Sequence, residues 1–168
     1  RQKDSVFTLH ASSFVVNGKG IFLAGDSGSG KTAIALAMCK RYNCEFISND
    51  LSVIGYDKGL DKASLLYGGR VVRLRLTTAK LNFPELLDIF RDNDQSPWTT
   101  KVPVTFEQLG LKAANGPQAL AAAFTVHLDS NPSESTALKK LSDIETQFGL
   151  YENLSRIIRG SAISIFNK

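Results

Sequence analysis

The apolar positions of the chain form short runs in its first half and helix-spaced stripes later. Phe7-Thr8-Leu9-His10-Ala11-Ser12-Ser13-Phe14-Val15-Val16, rich in aromatic and β-branched residues, predicts a strand that ends at the turn Asn17-Gly18-Lys19-Gly20. Ile21-Phe22-Leu23-Ala24 is a continuous apolar run, the pattern of a strand buried on both faces. Beyond residues 25–30, residues 31–41 are helix formers that set Ile34, Ala35 and Met38 on one side. Glu45-Phe46-Ile47-Ser48 and Leu51-Ser52-Val53-Ile54-Gly55-Tyr56 predict strands on either side of Asn49-Asp50, the second closing at Asp57-Lys58-Gly59. Strands over 65–67 and 71–76 follow, broken by Gly68-Gly69. Residues 84–91 predict a short helix with Pro84 in its first turn, and residues 92–100 a loop. Phe124, Val126 and Leu128 alternate in the run 119–128, which predicts a returning strand, although a helix has a claim on 118–123. Ser130-Asn131-Pro132-Ser133-Glu134 signals a helix start leading into 136–148. A second helix over 150–159 and a closing strand over 161–166 complete the pattern.

Composition narrows the class. At 168 residues, 43% hydrophobic and 21% charged, the chain has the size and make-up of one globular domain, residues 1–168. No apolar run approaches the roughly 18 residues of a membrane span, residues 119–126 coming nearest. The first residue is Arg1 and no leader pattern follows it, so the sequence reads as a fragment of a longer chain. Cys39 and Cys44 have neither zinc-ligand spacing nor a second pair, which implies reduced thiols and a cytoplasmic setting. Charge is uneven: residues 1–84 carry 12 Lys/Arg against 6 Asp/Glu, and residues 85–168 carry 8 against 10. An anionic ligand is expected in the first half. A nucleic acid is not, because basic runs interleaved with aromatics are missing.

Gly25-Asp26-Ser27-Gly28-Ser29-Gly30-Lys31-Thr32 matches G-x-x-x-x-G-K-[ST] between a predicted strand and a predicted helix. Glycines let such a loop curl so that successive N–H groups point inward, and the helix N-terminus adds partial positive charge. Lys31 then reaches terminal phosphates, and the Thr32 hydroxyl is placed to hold Mg²⁺. The motif points to a nucleotide phosphate and leaves its fate open, since such loops serve switches, ATPases and kinases.

Three pieces together narrow the choice: Leu9-His10-Ala11 ahead of the loop, the loop itself, and Ile47-Ser48-Asn49-Asp50 after the helix. In this order they resemble the catalytic domain of HPr kinase/phosphorylase and related small kinases, which share a P-loop fold with phosphoenolpyruvate carboxykinase. The likeness is strong over residues 8–53 and weak beyond. It implies an α/β fold with a P-loop core of mixed β-strands packed with helices. It further implies a kinase using ATP and Mg²⁺, with Asp50 as candidate general base and metal-site residue and His10 beside the phosphates. Asn49 stands where the family has a second acid, and an amide oxygen can still coordinate. The family's further glutamate has no counterpart in Gly69-Arg70-Val71-Val72-Arg73-Leu74-Arg75-Leu76. Lys101-Val102-Pro103-Val104 is similar to a stretch ahead of the last core strand, which makes Lys101 a candidate phosphate or acceptor contact. A homo-oligomer is also implied.

Other readings remain open. Asp50 suits a solvated turn, His10 a satisfied strand histidine, and Lys101 a plain surface position. Arg70, Arg73 and Arg75 alternate along one strand face, fit for a phosphate or carboxylate or simply for solvent. Asp129 and Asp57 each end an apolar strand, as the metal ligand of a generic P-loop ATPase does, and a nucleotide-sensing module without turnover is a further alternative. The expectation carried forward is transfer of the γ-phosphoryl group of ATP to a hydroxyl acceptor, a serine in a peptide or protein or a small-molecule hydroxyl, without nucleic-acid or membrane partners.

Overall fold

The computed structural model describes residues 5–90, 101–127 and 136–166. In chain order the elements are β1 (Ser5–Leu9), β2 (Ser12–Val16), β3 (Lys19–Ala24), α1 (Lys31–Tyr42), β4 (Glu45–Ser48), β5 (Ser52–Asp57), β6 (Lys62–Gly68) and β7 (Val72–Arg75). Then come α2 (Leu76–Asn82), a 3₁₀ helix (Pro84–Phe90), β8 (Lys101–Val104), β9 (Gln118–Thr125) and α3 (Asp143–Phe166). A seven-stranded sheet runs β1-β5-β6-β9-β3-β2-β4, and β7 pairs with β8 in a separate antiparallel ribbon. Within the large sheet β3 and β9 are parallel and the other neighbours antiparallel.

The connections dictate the shape of that sheet. Only His10 and Ala11 join β1 to β2, and only Asn49, Asp50 and Leu51 join β4 to β5, yet both pairs lie five positions apart in strand order. Five strand spacings on a flat sheet are about 24 Å. Three or four Cα steps reach only about 11–15 Å. The sheet must therefore curl until its two ends meet. Buried hydroxyls line the seam: Ser13 Oγ lies 2.6 Å from Ser48 Oγ, and Ser48 Oγ lies 2.7 Å from Ser52 Oγ. Ser52 Oγ also donates to the Ala11 carbonyl at 3.3 Å.

Successive strand residues point to opposite faces, and here both faces are covered. Phe14, Leu23 and Phe46 join one core with Leu36 of α1 and Val72, Leu74 and Val104 of the ribbon. Their neighbours Val15, Phe22 and Ile47 join a second core with Leu9, Ile54 and Leu65. Two-sided burial explains why residues 21–24 read as an unbroken apolar run. On α1 the fully buried stripe is Ala35, Leu36 and Cys39, with Ile34 and Met38 packed beside it.

Three expectations are corrected. Residues 7–16 are two strands, because the chain leaves its pairing with β5 at His10 and takes up pairing with β3 and β4 from Ser12 onward. Residues 136–142 are not helical, and α3 begins at Asp143. There Ser142 and Glu145 form a capping box: the Ser142 N–H donates to Glu145 Oε2 at 2.8 Å and the Glu145 N–H to Ser142 Oγ at 3.3 Å. The start signal at residues 130–134 lies outside the described residues. Residues 161–166 continue α3 rather than forming a strand. Ile158, Ala162 and Ile165 keep helical spacing in the sequence, and the glycines Gly149 and Gly160 are tolerated in so long a helix.

Gly68 sits against the seam, where a Cβ would fall 2.0 Å from the Leu51 carbonyl oxygen and 2.3 Å from Ser48 Cβ. Gly68→Ala is expected to destabilise the protein by about 1–3 kcal/mol in urea denaturation. Gly149→Ala, in the helical segment and with nothing within 4 Å of the added Cβ, is expected to be neutral or stabilising by about 0.5–1 kcal/mol.

Candidate active site

Residues 25–30 turn from β3 into α1 with positive φ at Gly25 (136°), Gly28 (90°) and Gly30 (93°). Side chains rarely adopt that conformation, and a Cβ on Gly25 would also lie 2.5 Å from the Val126 carbonyl oxygen. The loop is pinned by Ser29 N–H donating to the Asp26 carbonyl at 3.1 Å. Gly30 provides no side-chain cap to α1, so the first-turn N–H groups present the positive end of the helix. Lys31 is buried, its Nζ donating to the carbonyls of Gly25 at 2.9 Å and Asp26 at 2.8 Å.

This loop forms one wall of a cavity. Ser27, Gly28, Gly30, Lys31 and Thr32 face it from the loop and α1; His10 and Asp50 face it from the two short connections; Arg73, Arg75 and Lys101 face it from the ribbon. Gly25 and Asp26 lie on the far side of the loop, against a second cavity that Asn153 also lines. His10, residues 27–32 of the loop and helix start, Asp50, the β7 arginines and Lys101 are thus brought together from five separate stretches of chain.

Asp50 is half-buried, with φ at +63°. The Leu51 N–H donates to the Asn49 carbonyl at 2.7 Å, closing a tight three-residue turn with Asp50 at its centre. Gly69 braces this turn: Asn49 N–H donates to the Gly69 carbonyl at 2.8 Å, and Gly69 N–H to the Leu51 carbonyl at 2.9 Å. The Gly68-Gly69 pair, read from sequence as a strand break, is the platform for the Asp50 turn.

Asn49 does not line the cavity. It is 1% exposed, and its Oδ1 accepts hydrogen bonds from Ser12 Oγ at 3.0 Å and Thr32 Oγ1 at 2.7 Å. A hydroxyl that donates its hydrogen to Asn49 keeps its lone pairs for another partner. In this structure Asn49 orients Thr32. Its Nδ2 is buried without a partner, as is Arg75 Nε.

His10 is held by a residue that no local pattern singles out. Asn153 of α3, 4% exposed, accepts from the His10 N–H through Oδ1 at 2.7 Å and donates through Nδ2 to the His10 carbonyl at 3.0 Å. These are the two backbone groups left over where β1 gives way to β2. Burial, with the nearby Lys31 charge, holds the imidazole below its ordinary pKa, against the opposing pull of the Asp50 charge and backbone; Lys101 adds to the lowering. The neutral form of the ring is thereby favoured over the charged one.

Other candidates fall away from the site. Arg70 is exposed, outside the cavity lining, and its charge is felt by Glu107. Asp57 accepts from the N–H groups of Gly59 at 2.8 Å and Leu60 at 2.9 Å, the work of a turn residue. Asp129 and the loop over 92–100 lie outside the described residues. Cys39 and Cys44 are free and buried, and burial pushes the Cys39 thiol up to about 12. Among the described residues no three His, Cys, Asp or Glu cluster as a metal cage, and no helix is long and apolar enough to cross a membrane.

Taken together, the chain is a mixed α/β protein with a curled sheet and a basic cavity built over a glycine-rich loop. No family model matches it. Among solved structures, the Hpr(Ser) kinase/phosphatase from Coxiella burnetii resembles it with a TM-score of 0.38 and 13% sequence identity, over 95% of this chain and 97% of that one. A likeness of that size speaks neither to reaction nor to residues.

Two outcomes are expected from the His10 contacts. A histidine whose folded pKa lies below the unfolded value of 6.5 binds fewer protons than the unfolded chain between those values. Stability therefore rises with pH through that window and is lost as pH falls; a denaturation series from pH 5 to 7.5 should show this slope, reduced in His10→Gln. Asn153→Ala strands both His10 backbone groups and should cost about 2–4 kcal/mol in the same assay.

Proposed function

We propose that the chain is a kinase that transfers the γ-phosphoryl group of ATP to a hydroxyl acceptor, a serine of a peptide or protein or a small-molecule alcohol. The observation that carries this reading is the placement of Asp50 and His10 in the same cavity as the loop and Lys31. The curled loop and the start of α1 offer N–H groups to the phosphates. Lys31, whose ammonium now caps two loop carbonyls, would exchange them for phosphoryl oxygens.

Mg²⁺ suits what is present. It is usually held by one or two protein oxygens together with substrate phosphates, and Thr32, its hydroxyl turned by Asn49, shares the cavity with Asp50. Bound there, the ion would supply neutralisation of phosphoryl charge. Asp50 accepts the acceptor's proton as the hydroxyl oxygen attacks the γ-phosphorus. A new O–P bond forms, the bond from the γ-phosphorus to the bridging oxygen breaks, and ADP leaves with that electron pair. His10, in its favoured neutral form, gives the acceptor a hydrogen-bond partner without adding charge.

With labelled ATP and a panel of alcohols and serine peptides, Asp50→Asn is expected to lose about 10²–10⁴-fold in transfer while still binding nucleotide. Lys31→Ala is expected to lose nucleotide binding itself. Undiminished transfer by Asp50→Asn would remove Asp50 as base. A wild type that binds nucleotide and transfers to nothing would favour a nucleotide-sensing module, the alternative suggested by Asn49 standing where a second acid is expected.

A further inference from the structure

The ribbon of β7 and β8 is amphipathic. Val72 and Leu74 pair across it with Val104 and Val102, and these side chains belong to the core. On the opposite face Arg75 pairs with Lys101 and Arg73 with Pro103, and all three cations line the cavity over the loop. Among the described residues none of the three makes an ion pair, and Arg75 Nε is buried without a hydrogen-bond partner. With Lys31, four cationic side chains in the lining stand against one carboxylate, Asp50.

Such an excess repels itself unless an anion occupies the site. A nucleoside triphosphate with its divalent ion brings about two net negative charges, less than the surplus. The cations are also not equivalent in place. Arg75 Nη1 lies 3.9 Å from the point where a Gly28 Cβ would be, directly over the loop that would take the phosphates. Lys101, opposite Arg75 across the ribbon, lines the same cavity as Asp50, and its charge also reaches His10. Arg73 is two residues back from Arg75 along the same strand face.

We infer that Arg73 and Lys101 form an anion subsite for the acceptor, which is an alcohol carrying its own phosphate or carboxylate. This rests on the kinase reading for the word acceptor, but the subsite is testable without it. The subsite orients the hydroxyl by holding its anionic neighbour, while Arg75 serves the nucleotide side. Neutral alcohols lack that handle.

Inorganic phosphate is the probe. Calorimetric titration is carried out on the chain alone and on the chain saturated with a non-hydrolysable ATP analogue and Mg²⁺. Phosphate is expected to bind the nucleotide-loaded protein, with affinity at least tenfold weaker in the Arg73→Gln/Lys101→Gln variant; both positions are exposed, and circular dichroism verifies its fold. Phosphate binding that vanishes once nucleotide fills the loop, or that the double variant leaves unchanged, overturns the inference. If the analogue does not bind, the kinase reading fails on its own, and the subsite is judged in Lys31→Ala, where phosphate binding should persist and again depend on Arg73 and Lys101; its loss there also overturns the inference. Transfer assays with glycerol, glycerate and glycerol 3-phosphate separate the sources: preference for either anionic alcohol over glycerol supports the subsite and names its anion, and equal use of all three contradicts it.

Discussion

Two connections too short for a flat sheet govern this molecule. His10-Ala11 and Asn49-Asp50-Leu51 each link strands five positions apart, and the curl they impose brings both connections to one seam beside the start of α1. A side chain carried by a linker of two or three residues has little freedom, since its backbone is fixed at both ends by strand pairing. Catalysis gains from such rigidity, because a proton acceptor held in place needs no reorganisation when charge develops. The site candidates His10 and Asp50 therefore sit where the topology leaves least play.

The seam is polar where most sheet interiors are apolar. Ser13, Ser48 and Ser52 satisfy one another, while Ser12 and Thr32 both donate to Asn49. Buried polar groups cost stability unless partnered, so this network holds a specific arrangement rather than adding bulk cohesion. Of the two groups, the one around Asn49 reaches the cavity through Thr32. One amide thereby couples the closure of the sheet to the orientation of a hydroxyl at the helix N-terminus, and the orphaned Asn49 Nδ2 is the residual cost.

Local chemistry was legible in the sequence, and long-range placement was not. The loop and the helix after it follow from spacing, because each depends on neighbours a few residues away; the acid at residue 50 is singled out only by the family resemblance. Asn153 was not visible: it grips His10 across 143 positions, and nothing around it departs from an ordinary helix. Gly68 and Gly69 mark a strand break in the sequence, but their closeness to the Asp50 turn depends on how β5 and β6 pair. Arg73 and Arg75, two residues apart in β7, share the strand face that lines the cavity, whereas Arg70, three residues from Arg73 and ahead of β7, lies outside it. At the start of α3 the reciprocal hydrogen bonds of Ser142 and Glu145 set the boundary.

In the proposed reaction the curled seam delivers Asp50 to the terminal phosphate of a nucleotide bound on the glycine-rich loop. A crystal structure with a non-hydrolysable ATP analogue and Mg²⁺ would decide it. The expected result is a γ-phosphate between Lys31 and Thr32, with the Asp50 carboxylate facing it across the space left for an acceptor. A nucleotide bound elsewhere, or a γ-phosphate turned away from Asp50, would contradict that placement.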